Sequence, residues 1–238
     1  MSGHSKWSTI KRQKGVADAK RSQIFTKLAK AITMAAKQGG DPAMNFKLRL
    51  AIDRAKGFSM PKDNIERAIT RGSGSGEGPS MEEVTYEGYG PSGVAFIIQT
   101  LTDNRNRTTS NLRHILDRSG GRLAESGSVV WLFENKGVIQ FTKPLKDFAN
   151  LELELIEAGA EDIKELEDAV VMVYSQPTNF EIVKKIISSH QIETSYSALD
   201  LIAKTSVELD NDTANKIDNL REALDNDEDV SEFYDNVA

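Results

Sequence analysis

The run GSGSGEGPS at residues 72–80 packs four glycines, three serines and a proline into nine positions. Gly brings no side chain to bury and Pro no N–H to share, so the run reads as a flexible linker. It also separates two hydrophobic periods. Before it, apolar residues recur at about 3.6-residue spacing; after it, they alternate or gather in short runs. A chain so divided is neither one helical bundle nor one sheet, and the expectation is an α+β multidomain protein.

Residues 1–71 read as a basic arm followed by three helices. Ser22 is the expected cap of a helix to about Gln38, with Ile24, Phe25, Leu28, Ile32, Ala35 and Ala36 on its buried side and Gly39-Gly40 as its end. Lys27, Lys30 and Lys37 fall on the opposite side. Asp41 and Pro42 suit the N-cap and first turn of a second helix with Leu48, Ala51, Ile52 and Ala55 as its stripe, closed by Gly57. Pro61 opens a third, turned inward through Ile65, Ala68 and Ile69 and stopped by Gly72.

Beyond the linker, EEVTYEGYG and VAFIIQTL read as two strands joined at residues 90–93. Asn106 is the expected cap of a helix built on Leu112, Ile115 and Leu116. SVVWLFE, apolar on both faces, is expected as a central strand, with a turn at NKG, residues 135–137. Residues 138–206 then alternate strand, helix, strand, helix, strand. LELELIEAG fits a strand through Leu151, Leu153 and Leu155 or a helix through Phe148, Leu151, Leu155 and Ala158. Its Ala and Glu content and Gly159 favour the helix. Asp212 suits the cap of a last helix, before a short strand VSEFY. One helix and one strand make no domain alone, so they are expected to complete the sheet begun at residue 82. The resulting division is 1–71 (arm and helices), 72–80 (linker), 81–135 with 207–238 (middle domain) and 136–206 (inserted domain).

Charge is strongly segregated. The net charge is −6, yet residues 1–71 hold 16 Lys and Arg against 5 Asp and Glu, and residues 207–238 hold 2 against 11. A duplex or a folded RNA rewards clustered cations by releasing counterions. The basic end is therefore the expected nucleic-acid surface. In the arm, Lys6, Lys11, Arg12, Lys14, Lys20 and Arg21 suit phosphates, while His4 or Trp7 suits a base. Lys27, Lys30 and Lys37 form a second candidate surface. No helix carries the Arg, Asn and Gln set that reads a major groove base by base.

Catalytic motifs are missing. The chain has no Cys, which removes disulfides, Cys-based zinc sites and thiol nucleophiles. His4, His114 and His190 lack metal-ligand spacing, and ESGS at 125–128 is not a nucleophile elbow. DNDEDV at 225–230 begins like a calcium loop but has Val230 where Gly is needed and Asn236 where Glu is needed, so it reads as an acidic loop before an edge strand. TDNRNRT at 102–108 has two readings of equal weight. Asp103, Asn104, Arg105, Asn106 and Arg107 either hold an anion or RNA phosphate at a helix N-terminus, or only cap the helix with a local Arg–Asp103 pair. No catalytic residue, metal or cofactor is assigned. No apolar run approaches the ~20 residues of a membrane span, and the basic start lacks the apolar stretch of a signal peptide. A cytoplasmic protein without a membrane partner, monomeric or weakly dimeric, is expected.

The segments SGHSKWSTIKRQKGVADAKRSQIFTKLAKAI, MPKDNIERAITRG, YEGYGPSGV, LTDNRNRT and GGRLAESGSVVWLFENKG together resemble the YebC/PmpR family. The likeness runs to about residue 137 and continues more loosely in EAGAEDI and LDNDEDVSEFYDN. It implies an N-terminal helical domain and two α/β units of ferredoxin-like character, the last inserted into the middle one. The family's basic motif falls on His4, Lys6, Trp7, Lys11, Lys14, Lys20 and Arg21. Its middle-domain motif falls on Asp103, Asn104, Arg105, Asn106 and Arg107. Phe46 departs from the proline that many members carry. The implied function is non-enzymatic: a DNA-binding transcriptional regulator or, alternatively, a factor that binds ribosomal RNA and relieves ribosomes stalled on proline-rich sequences.

Overall fold

A computed structural model of the 238-residue chain describes residues 18–74, 81–144 and 147–238. Among the described residues it holds seven α-helices and two four-stranded antiparallel sheets, a mixed α+β architecture.

Three helices come first: α1 (Asp18–Ala36), α2 (Phe46–Gly57) and α3 (Lys62–Ser73). They close around Leu28, Ile32, Leu48, Ile52, Ala55, Ile65 and Ala68, the residues that the 3.6-residue spacing placed inward. The caps differ from the expectation. Helix α1 is already formed at Asp18, so Ser22 lies within it and its carbonyl accepts from the Thr26 hydroxyl. Asp41 caps a turn at Ala43, and Asn45 caps α2 by accepting from Leu48 N–H at 3.1 Å. The Asn45 amide also donates to the Ala35 and Gly39 carbonyls, so one buried side chain finishes α1 and starts α2. Gly72 is not a stop signal. A Cβ there would lie 2.2 Å from the Thr33 carbonyl oxygen, so Gly72 is what lets α3 cross close over α1.

The first sheet joins β1 (Glu82–Tyr89), β2 (Ala95–Thr102), β3 (Arg122–Ala124) and β8 (Val230–Asp235) in the order β3-β1-β2-β8. Helices α4 (Arg105–Arg118) and α7 (Asn211–Asn226) cover one face, burying Leu112, Leu116, Ile217, Leu220 and Leu224 on Phe96, Ile98 and Phe233. The cap of α4 is Asn104, not Asn106, accepting from Arg107 N–H at 3.1 Å. The cap of α7 is Asp210, not Asp212, accepting from Thr213 N–H at 2.7 Å.

The second sheet joins β4 (Phe133–Thr142), β5 (Ala160–Glu165), β6 (Val170–Ser175) and β7 (Thr194–Ala203) in the order β5-β6-β4-β7. Helices α5 (Phe148–Glu157) and α6 (Phe180–Ser189) pack on it through Leu151, Leu155, Val183 and Ile187. LELELIEAG is thus helical. Two expectations fail here. Residues 135–137 do not turn but continue β4, where a Cβ on Gly137 would meet Phe180 at 2.5 Å. Only Phe133 and Glu134 of SVVWLFE are in the strand. Val130–Leu132 form a short 3-10 turn, and the lone apolar run concealed an exposed loop. The edge strand β5, with its charged sequence AEDIKE, gave no alternating signal and was missed.

Candidate nucleic-acid interface

The expected contacts His4, Lys6, Trp7, Lys11, Arg12 and Lys14 lie outside the described residues, as does the side chain of Lys20. Arg21 is exposed on α1, and Lys37 is exposed in the turn that follows it. Lys27 and Lys30 are not an outward surface. Lys27 Nζ donates to the Asp225 carbonyl at 2.7 Å, and Lys30 Nζ donates to the Glu228 carbonyl at 2.9 Å while lying 3.7 Å from the Asp229 carboxylate. Burial pushes the Lys27 ammonium below the usual lysine range, against the pull of Asp225 and Asp227. The sequence reading missed this because the partners stand 198 residues away.

A second seam joins α2 to β8. Arg54 of α2 forms an ion pair with Glu232 of β8, whose side chain is 3% exposed. Beneath them the Tyr196 and Tyr234 hydroxyls donate to Asp200, itself buried, at 2.8 and 3.3 Å. Burial opposes the Arg54 charge, but Glu232 more than offsets it and raises the pKa; burial and Asp200 push the Tyr196 phenol well up. A further pair, Lys184 with Asp53 at 2.6 Å, ties α2 to α6. Between the helices and the first sheet a cleft of about 980 Å³ remains, lined in part by Met34, Lys37, Lys47, Val84, Asp218 and Glu222.

The TDNRNRT segment is resolved into two kinds of residue. Arg107 reaches Asp103 at 3.0 Å and Asp229 at 2.9 Å. The Thr108 hydroxyl donates to Asp229 at 2.9 Å, and the Thr102 hydroxyl points at the same oxygen from 3.5 Å. Burial would raise the pKa of Asp229, but Arg107 and Thr108 hold it below the usual carboxylate range. Arg107 therefore clamps α4 to the segment before β8, its charge already shared between Asp103 and Asp229 although its side chain is 49% exposed. Asn104 and Thr108 are likewise structural. Arg105 and Asn106 remain exposed, and the Arg105 guanidinium makes no hydrogen bond or ion pair among the described residues. Arg113 and Arg118 are exposed on the same helix. The acidic stretch 225–230 ends α7, turns at 227–229 and enters β8 at the sheet edge, with the Asp227 carboxylate accepting from Asp229 and Val230 N–H. Among the described residues no group of His, Asp and Glu is arranged to hold a metal, and no helix is long and apolar enough to cross a membrane.

Comparisons with known proteins agree along the whole chain. Residues 5–75 match the TACO1/YebC protein N-terminal domain, and residues 81–237 match the TACO1/YebC second and third domain. A "Probable transcriptional regulatory protein" of Pelodictyon phaeoclathratiforme is 48% identical over 238 residues, covering 100% of this chain and 95% of that one. A protein of the same description from Trichlorobacter lovleyi is 48% identical over 237 residues, covering 99% and 95%. The crystal structure of a conserved hypothetical protein from Aquifex aeolicus superposes with a TM-score of 0.83 at 38% identity, covering 94% of this chain and 93% of that one. The chain belongs to the TACO1/YebC family.

Proposed function

We propose that the chain is a non-enzymatic, nucleic-acid-binding regulator of gene expression. The observation that carries this reading is the division of its cations. Lys27 and Lys30 are tied to carbonyls of the acidic 225–228 stretch, and Arg54 and the half-exposed Arg107 are paired with buried acids, whereas Arg105, Arg113 and Arg118 stand exposed on α4 without an ion pair among the described residues. Together with the arm, the exposed arginines supply the clustered positive charge that phosphates reward. The relatives' description as transcriptional regulators favours DNA as the target. The acidic remainder favours the second reading, ribosomal RNA and a role in translation, because a long duplex would repel it along its whole length.

In this reading residues 1–71 are the binding unit and 72–80 the linker. Residues 81–135 with 207–238, and residues 136–206, are two ferredoxin-like units, the second inserted into the first. The strand orders support it, since β4-α5-β5 and β2-α4-β3 each straddle one intervening strand, as a split βαβ unit does. Co-sedimentation of tagged protein with ribosomes is the test, with a parallel pull-down on duplex DNA. The Lys6, Lys11, Arg12 and Lys14 quadruple Gln variant is run beside the wild type. Binding of the wild type alone to either target supports the reading and chooses between the two mechanisms. Wild type that binds neither at physiological salt would sink it.

A further inference from the structure

Trp131 is 63% exposed, with Val130 beside it at 45%. An exposed indole normally samples several rotamers, but this one is tied down. Its Nε1–H donates to the Ser128 carbonyl at 3.0 Å, and the Tyr89 hydroxyl donates to the same oxygen at 3.2 Å. The loop beneath is fixed from the sheet. Glu87, 6% exposed, accepts from Gly127 N–H at 2.7 Å, Val129 N–H at 2.6 Å and Val130 N–H at 3.0 Å. Burial alone would raise the pKa of this carboxyl, and the backbone donors bring it below the usual range, so it stays charged and keeps the loop in place. On the other side Lys204 donates from its backbone to the Leu132 carbonyl and from Nζ to the Trp131 carbonyl, both at 2.9 Å.

The same pedestal carries two cations. The Arg122 guanidinium lies 5.0 Å from the centre of the Tyr89 ring, and Lys204 Nζ caps the loop. Neither forms an ion pair with a carboxylate among the described residues. Glu125, on the same turn, is an exposed acid, and its carbonyl accepts from the Ser128 hydroxyl at 2.6 Å. An indole fixed in water has already met the ordering cost that a mobile side chain would meet on binding. With two exposed cations beside it that no described carboxylate neutralises, the surface has the composition of a stacking platform for unpaired bases.

We infer that Trp131 is a base-stacking platform for single-stranded RNA or DNA, with Arg122 and Lys204 engaging the flanking phosphates. The inference rests on the nucleic-acid reading above and adds a site separate from the basic arm. Trp7 and Trp131 are the only tryptophans, so in a full-length Trp7→Phe chain Trp131 is the sole source of indole emission. The probe is fluorescein-labelled octauridylate, with a duplex of equal length as control. Anisotropy follows binding anywhere on the protein, and indole emission follows the platform.

Octauridylate is expected to quench Trp131 with the same midpoint as the anisotropy rise, and the duplex to leave it unquenched. Trp131→Leu is expected to weaken octauridylate binding by about five- to a hundredfold, the loss of one stacked base. Trp131→Phe, which keeps a ring, is expected to lose less. An anisotropy rise with unchanged emission and an inert Trp131→Leu would overturn the platform and leave the nucleic-acid reading intact. Equal losses in the Leu and Phe variants would also overturn stacking, because a retained ring would then contribute nothing to binding. If no nucleic acid raises the anisotropy, the nucleic-acid reading fails and the platform with it.

Discussion

Helices α1 and α4 look alike in sequence: each carries four Lys or Arg and a single acid. The structure uses them in opposite ways. On α1, Lys27 and Lys30 point into the molecule and end on the turn before β8. On α4, Arg107 stays half exposed and reaches from the surface to the buried Asp229, and Arg105, Arg113 and Arg118 face solvent. Charge counted along a chain gives the sign of a surface but not what lies opposite it. Part of the segregation between the basic start and the acidic end is thus an internal docking interface. The acids at 225–232 are the counter-surface for α1, α2 and α4, and Asp229 alone serves both Lys30 and Arg107.

The inward half of this comparison is broken most strongly at Glu232. Glu232→Gln leaves Arg54 charged with no carboxylate and is expected to cost about 3 kcal/mol in urea unfolding. The double Arg54→Met, Glu232→Met variant is expected to recover most of that loss, because a buried pair replaced by apolar side chains is often neutral. A silent single substitution would mean that this pair does not hold α2 in place.

Asp229→Asn is next, at about 2 kcal/mol, because it weakens the acceptor shared by Thr102, Thr108 and Arg107. The effect depends on pH. The folded pKa is lowered, so the stabilisation is fully present above the unfolded value of about 4 and is lost as pH falls through the folded value. Wild-type and Asp229→Asn urea midpoints should differ at pH 7 and converge as the pH falls through the lowered folded value.

Gly72→Ala sharpens the same half. Glycine inside a helix ordinarily gains about 0.5–1 kcal/mol on replacement by alanine. Here the added methyl would meet the Thr33 carbonyl, and a loss of about 1–2 kcal/mol is expected instead, read as a lower thermal midpoint. The smallest effect belongs to the exposed pair Lys62–Glu66, where Lys62→Gln is expected to change stability by about 0.3 kcal/mol or less. A larger change there would mean that surface charge matters more to this fold than the docking seams do.

The buried faces were legible in the sequence, because apolar spacing is a local signal: Leu48, Ile52 and Ala55, Leu112 and Leu116, and Ile217, Leu220 and Leu224 are all inside. The caps were found less well, since several Asx residues stand near each helix start and only geometry selects Asn45, Asn104 and Asp210. Strand β5 was hidden by its edge position, which lets charged residues occupy both faces. At the candidate interface, the helix start at TDNRNRT was recognisable, but the commitment of Arg107 to Asp229 spans 122 residues and left no local trace. Trp131 was concealed for the opposite reason. Its apolar neighbours made SVVWLFE look like a strand, while Val130–Leu132 lift the indole out to solvent.

The central claim is that the basic end of the chain is divided, with α1 lysines spent on docking and the arm left to grip phosphates. The salt dependence of binding to a duplex DNA tests it most directly, measured for Lys27→Gln/Lys30→Gln beside the quadruple arm variant. The account predicts an unchanged log–log slope for the α1 pair and a slope shallower by roughly 3 to 4 for the arm variant, one cation for each phosphate released. A slope that falls by about 2 in the α1 pair, with the arm variant unchanged, would contradict it.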